Sequence, residues 1–491
     1  MRGLILFTLR QKIGLNPSFQ NSAQGRVDDK WAVAPNFIDV VGMVGRCQHG
    51  GLISCAILSV CIMRFLAVTF CFMGLALLAG CERAPEHSAN LPAKSSVTFM
   101  QFYSAASRDV IYKVAEDFTR QSAQYELKAV MLDSVAFKLR TEDIVQSEYP
   151  PDIYTHWAGA HIAAAAPWLE PLDDIWKQQK LEEKYAPNLV QALTQENGHR
   201  YMIPLIQHHV AFFYNKKVFD AHGLKPPATW TEFLAVCDAL KAKGIVPIAL
   251  GNKYNWPGQF WLDMLMLRTL PYEFREQLMA GKVRYDDPKV VGVFERWNDL
   301  VQRGYFTPNP NDLKWQEAAD TVYKDQAGMI LMASWVIGYF QNKVPKWVGG
   351  EDFDFFRFPM IDAQVPVVGL GAVDGLIVPK KASNLEGAKQ ALAYFSTADA
   401  QQAFSKVSGT FVPNRDVSTA SYSKLQNRLA QEYDQNQLYA FHYDLSTPRA
   451  VSSLGLAAMA DFLAFPKAYP QILKELSRDA DQAFRHTEGK H

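Results

Sequence analysis

The sequence predicts an α/β protein built on parallel sheets that carry helices on their faces. Three observations support this: a βαβαβ rhythm from Ser96 to Trp157, a second strand–helix series after Pro204, and strand-like patterns again beyond Phe353. In the first series "SVTFMQFY" reads as a buried strand, and Ser107 as the cap of a helix with Val110, Ile111, Val114 and Phe118 on one face. "YELKAVML" is a second strand. "VAFKLRTEDIVQSE" fits a helix that Pro150-Pro151 ends, and "PDIYTHW" is a short third strand. Open parallel sheets gather ligands at the carboxyl ends of their strands. That rule singles out Gln101 and Tyr103 after the first strand, and His156 and Trp157 at the end of the third.

The second series opens with "VAFFYN", a strand running into a turn. Thr229-Trp-Thr-Glu232 has the spacing of a capping box, in which the Thr hydroxyl and the Glu carboxylate each satisfy an orphan N–H. Phe233, Leu234, Cys237 and Leu240 follow at helical spacing, and Gly244 ends the helix. "IVPIALG" reads as a strand, Asp287-Pro288 starts another helix, and "AGMILMASW" is a strand ending on Trp335. The third stretch reads as a return to the first sheet, with "FDFFRFPMI" and "VDGLIVPK" as strands and "NLEGAKQALAYFS" as a helix. The tail is helical, including "AVSSLGLAAMADFLAF".

Fifty basic and fifty acidic side chains cancel in a chain of 491 residues, so nothing favours nucleic acid or an anionic lipid surface. Hydrophobic residues make up 48%, enough for large cores, and the length suits two or more domains.

Cys47, Cys55, Cys61, Cys71 and Cys81 crowd the amino-terminal end, and Cys237 alone lies beyond them. From Met63, "MRFLAVTFCFMGLALLAGC" presents one Arg, an apolar run and small residues, the order of an export signal. The run is short for a membrane span, which needs roughly 20 apolar residues. Leu78-Ala79-Gly80-Cys81 resembles the bacterial lipobox, which implies lipidation of Cys81 as the new amino terminus. "ERAPEHSANLPAKSS" then has the composition of a tether. The mature chain would keep Cys81 and Cys237 only, with no internal disulfide, and Cys237 falls on the apolar side of its helix. Residues 1–62 precede a complete signal and read as an extension upstream of the true start.

The segment from Gly198 to Gly251, "GHRYMIPLIQHHVAFFYNKKVFDAHGLKPPATWTEFLAVCDALKAKGIVPIALG", resembles the signature of the family 1 extracellular solute-binding proteins. These are the carbohydrate receptors of bacterial ABC importers. It carries Gly-x-x-Tyr-x-x-Pro, Tyr-Asn-Lys, Pro-Pro-x-Thr-Trp-x-Glu and Gly-Ile-x-Pro in order. "PPDIYTHW", "AGMILMASW" and "GTFVPNRD" extend the likeness across most of the exported part.

The resemblance implies a two-lobed α/β clamshell of the periplasmic-binding-protein type, with ligand held between the lobes. The chain is expected to cross the hinge near Ile206–Val210, near Val367–Gly371, and a third time after Asn414. The division that follows has residues 63–80 as signal and 81–95 as tether. Residues 96–206 with 365–414 form the first lobe, and 207–364 with 415–491 the second. Tyr214 and Asn215 are then structural, as turn and core residues.

A sugar presents apolar C–H faces ringed by hydroxyls, so its site needs aromatic platforms and planar polar groups. Trp157 at a strand end, Trp335 on the other lobe and Trp256 in the loop "GNKYNWPG" are the candidate platforms. Trp230 and Trp297 sit at helix positions and read as packing, and Trp261 fits either role. Asp374 in "GLGAVDGLIV" is a candidate hydroxyl acceptor beside the second crossing. Gln207 and His208 lie at the first, and Gln101, Tyr103 and His156 complete the polar set. The family often has a Trp near the first strand's end, where this chain has Phe102-Tyr103. His208 and His209 with His156 and His161 invite a metal reading, but no Cys or acidic cluster joins them, and no metal or cofactor is expected.

The function implied is a lipid-anchored, monomeric sugar receptor without catalytic activity. It would deliver its ligand to the transmembrane permease of an ABC importer driven by a cytoplasmic ATPase. One alternative is a sugar-sensing partner of a membrane receptor or kinase. The other is a secreted glycoside hydrolase, which would need two carboxylates about 5–9 Å apart; Asp152, Asp173 and Asp374 are present but no motif pairs them.

Overall fold

The computed structural model of the protein describes residues 93–488 other than Ser104, Glu196 and Gln437. The amino-terminal extension, the export signal, Cys81 and the tether as far as Pro92 lie outside the described residues. In chain order the strands are β1 (Ser95–Gln101), β2 (Tyr125–Met131), β3 (Ile153–Trp157), β4 (Ile203–Asn215), β5 (Val246–Ala249), β6 (Ala327–Ala333), β7 (Phe353–Phe356), β8 (Gly369–Ile377) and β9 (Tyr439–Phe441).

β1 lies between β2 and β3, parallel to both, so the expected βαβαβ unit is present. Its first helix, Ala105–Gln121, begins before Ser107, which sits in the opening turn rather than capping it. The first sheet is not wholly parallel. β8 runs antiparallel to β3 and to the first part of β4, because it arrives from the opposite lobe.

β4 is longer than "VAFFYN" suggested and serves both sheets. Through His209 it pairs with β8; from Val210 it pairs with β6, and from Phe212 with β7. β5 lies parallel to β6. Of the two strands expected to return to the first sheet, only β8 does so. "FDFFRFPMI" supplies β7, which joins the second sheet where Phe356 stacks on Phe212 at 5.0 Å. β9, which the tail pattern did not suggest, adds to β8 along Gly369–Gly371.

Two hydrophobic clusters separate the lobes. Val97, Phe99, Ile153, Ile203, Ile206 and Leu376 belong to one; Val210, Phe212, Trp261, Trp297 and Phe462 belong to the other. β4 leaves the first cluster at Ile206 and enters the second at Val210, with Gln207, His208 and His209 in between. β8 makes the reverse passage between Leu370 and Ala372. Phe404 packs in the first cluster and Phe411 in the second, and Phe441 and Leu445 return to the first on either side of Tyr443.

Local chemistry accounts for the turn after β4. Asn215 is fully buried; its Oδ1 accepts from Val218 N–H, and its Nδ2 donates to Val322 O at 2.7 Å and to Asp325 Oδ1 at 2.8 Å. The next long helix, Trp230–Ala242, carries the full capping box at Thr229 and Glu232. Cys237 is buried on it. Pro288–Gln302 starts where Asp287 accepts from Lys289 N–H. The tail helices Lys424–Asp434, Arg449–Ala464 and Tyr469–Glu488 pack Leu429, Phe462 and Leu473 into the second cluster.

Candidate functional site

The centre of the site is Asp374, in the middle of β8 and only 5% exposed. It lies in register with Trp157 of β3 on one side and Ile206 of β4 on the other. Residues opposed across an antiparallel pair project from the same face, so Asp374 and Trp157 share one face of the sheet. Trp157 is half-buried and stacks on Phe102 at 4.2 Å, with Phe137 edge-on at 5.9 Å. Tyr103 packs against the other end of this group, 4.8 Å from Phe102. Burial first, and then the charge of Asp374, raise the Tyr103 phenol well above its ordinary range, so it remains a donor. Its hydroxyl meets no hydrogen-bond partner among the described residues.

His208, two residues past Ile206 on the same face of β4, extends the site toward the second lobe. Its Nε2 stands 4.0 Å from Asp374 Oδ2. Burial pushes the imidazole down to about 4, with nearby His442 acting in the same direction, so it is neutral at physiological pH and the pair is not an ion pair. Ser334 Oγ donates to Gly409 O at 2.8 Å and lies 3.2 Å from His208 Nδ1, which leaves its lone pairs to accept the ring N–H. Nε2 and the carboxylate then face each other as two acceptors across a gap that suits a hydroxyl donor. Gly409 (φ +79°) is required there, because a Cβ would run into Ser334 O.

Trp335 follows Ser334. It does not end a strand as expected: β6 stops at Ala333, and Trp335 opens the helix Trp335–Lys343. Its ring lies 5.1 Å from His208 and 5.8 Å from Trp256, both edge-on. The Trp256 loop is shaped by buried Asn252, whose Oδ1 accepts from Gly258 N–H and whose Nδ2 donates to Asn311 Oδ1. Gly251 starts this loop where a side chain would clash with Lys314 O. Phe260 backs both Trp rings, at 5.8 Å from Trp256 and 6.3 Å from Trp335.

Tyr103, Trp157, Asp374, His208, Trp335 and Trp256 are thus drawn into one chain of neighbours reaching from the first lobe to the second. Gln101 is fully buried two residues before Tyr103, and neither atom of its amide meets a partner among the described residues. Gln207 and His156 are not gathered with them. Gln207 takes the alternate face of β4 and bonds the Tyr439 hydroxyl, and its backbone bridges to Phe411. His156 lies on the alternate face of β3, with Nδ1 donating to Trp157 O and its ring 6.4 Å from His161. Phe102, Phe260 and Ser334 were missed in the sequence; only the aromatic doublet Phe102-Tyr103 carried any signal.

Asp374 is the acid of the site. Asp152 sits at the far end of the first sheet, its carboxylate accepting from Thr98, Ser383 and Asn384. Asp173 is only partly buried, beside His199. Among the described residues no group of three or more His, Cys, Asp or Glu side chains could hold a metal ion. What remains is a site of aromatic faces and hydrogen-bonding groups with contributions from both lobes.

This fold and site define a two-lobed receptor of the clamshell type. The model of the bacterial extracellular solute-binding protein family matches residues 112–402, and the chain belongs to that family. An uncharacterised ABC transporter extracellular-binding protein of Pyrococcus horikoshii is 26% identical over 421 residues, which is 82% of this chain and 92% of that protein. The multiple sugar-binding protein of Streptococcus mutans is 24% identical, over 71% of this chain and 82% of that one. Among solved structures, the bacterial solute receptor AcbH, described as having an exclusive preference for β-D-galactopyranose, superimposes with a TM-score of 0.73. It is 26% identical and covers 80% of this chain and all of that one. A chitin oligosaccharide binding protein shares the fold with a TM-score of 0.71 at 24% identity, over 80% of this chain and 99% of that one.

Proposed function

We propose that the protein is the sugar-binding receptor of an ABC importer, held at the membrane by lipid on Cys81. The observation that carries this reading is the placement of Asp374 between Trp157 of the first lobe and, through His208, Trp335 of the second. Aromatic faces suit the C–H surfaces of a pyranose, and a buried carboxylate beside a neutral imidazole suits its hydroxyls. The names borne by the relatives in Streptococcus mutans and by AcbH support the same ligand class.

Ligand capture needs no covalent chemistry. A sugar that touches Trp157 and Trp335 together binds the closed arrangement better than an open one, and so shifts the population toward closure. The closed surface is then what a permease recognises.

A thermal-shift screen against mono- and oligosaccharides tests the reading. A sugar at about 100 times its dissociation constant adds about 2.7 kcal/mol of stability, a clear rise in melting temperature. No shift with any sugar, and no binding heat, would overturn it.

A further inference from the structure

We infer that His442 is a specificity-determining residue of the cleft, whose Nε2 accepts a hydroxyl hydrogen of the bound sugar; the inference rests on the sugar-receptor reading above. His442 directly follows β9, in the segment where the chain passes between the two hydrophobic clusters. Its Nδ1 donates to Asp444 Oδ1 at 3.1 Å. A carboxylate can only accept, so this bond places a ring hydrogen on Nδ1, and in the neutral ring Nε2 is then an acceptor. His442 is 6% exposed, and Nε2 meets no hydrogen-bond partner among the described residues. A buried polar atom in that state is costly unless something else satisfies it.

The surroundings point to the ligand. The His442 ring is edge-on to Phe260 at 5.3 Å, and Phe260 is the residue that backs both Trp256 and Trp335. His442 therefore stands beside the second-lobe wall of the site that Trp256 and Trp335 form.

The segment that carries it is held from both lobes. Asp263 Oδ2 accepts from Tyr443 N–H, and Gln259 Oε1 accepts from Asp444 N–H, each at 2.8 Å. Arg275 Nη2 donates to Phe441 O at 2.6 Å. From the first lobe, His161 Nε2 donates to Asp444 O at 2.8 Å. An imidazole fixed in tautomer and position by such a frame discriminates among hydroxyl patterns, because a sugar lacking the matching hydroxyl leaves Nε2 unpaired.

The test is calorimetry of the full chain with D-galactose, D-glucose, maltose, xylobiose and a wider saccharide panel, and then with the monodeoxy analogues of whichever sugar binds. His442→Phe is expected to weaken that sugar roughly tenfold or more while the unliganded melting temperature holds. One monodeoxy analogue should bind wild type and variant with equal Kd. Should the Phe variant fail to fold, His442→Leu takes its place, with the same loss of discrimination expected. An unchanged Kd for the parent sugar in the variant would overturn this inference and leave the sugar reading standing. A wild type that binds no saccharide would overturn both.

Discussion

Asp374 Oδ2 lies 4.0 Å from His208 Nε2, at the place where β4 and β8 carry the chain from one lobe to the other. The carboxylate is buried, the imidazole is kept neutral by burial, and the two are too far apart for a hydrogen bond. A hydroxyl donor placed between them would meet an acceptor on either side. The hinge and the proposed sugar site share these residues, so a ligand bound there is expected to couple its occupancy to lobe closure.

Asp374→Asn removes the charge and keeps the shape. Hydrogen bonds to charged groups contribute about 1.5–3 kcal/mol, so sugar affinity should fall by roughly ten- to a hundredfold. The unliganded melting temperature should hold or rise, since a buried charge is removed. Calorimetry and a thermal melt measure the two separately; retained affinity would show that the carboxylate does not meet the ligand.

Trp335→Ala tests the second-lobe platform. Its ring meets His208 and Trp256 edge-on and lies outside the fully buried core, so the fold should survive. Binding should weaken by about 1–3 kcal/mol. Tryptophan fluorescence on titration with sugar reads the result. Trp297→Phe, in the core, should leave the affinity unchanged.

The hinge histidines predict a pH dependence. Burial lowers His208 to about 4 and His209 to about 3; His209 packs against Tyr433, Phe411 and Tyr439, and the charged group acting on it is His208. Above about pH 6.5 the imidazoles are neutral in both folded and unfolded chains. Below it the unfolded chain takes up protons that the folded chain refuses, so stability falls as pH drops from about 6.5 toward 4. Each histidine contributes a slope of up to about 1.4 kcal/mol per pH unit. His209→Phe should flatten the decline of melting temperature between pH 6.5 and 5, and an unaltered slope would count against the assignment.

Arg275 and Asp263 form a buried ion pair at 2.8 Å that also braces Phe441 and Tyr443. Arg275→Met strands the carboxylate, and should cost about 3–5 kcal/mol in a urea titration. Arg275→Met with Asp263→Leu should recover part of that loss. Full additivity of the two changes would deny the coupling.

What could be read in the sequence was local. The capping box at Thr229 and Glu232 needs only four residues, and it is present as expected. The βαβαβ unit needs only alternating periods, and it too is present. The local pattern put β7 with the first sheet, whereas the family-based division put it in the second lobe; an apolar run does not state its partner, and stacking on Phe212 decides for the second sheet. His156 and Gln207 were legible in principle as residues turned away from Asp374, since both follow from the two-residue period of a strand once the register with β8 is known. His442 had no such signal, because Phe260, which its ring meets, and Asp263, which holds the next residue, lie far from it along the chain.

By itself the chain's order of residues determined the α/β class, the helix starts at Thr229 and Asp287, the apolar faces and the family likeness carried by residues 198–251. These depend on neighbours within a few turns, where backbone geometry and burial patterns repeat. Only the tertiary structure decided that β4 and β8 would span both sheets, that Asp374 would lie opposite Trp157, and that His208 would face it across the hinge. Such pairings join residues far apart along the chain, and their free energy comes from contacts that exist only after both lobes have packed.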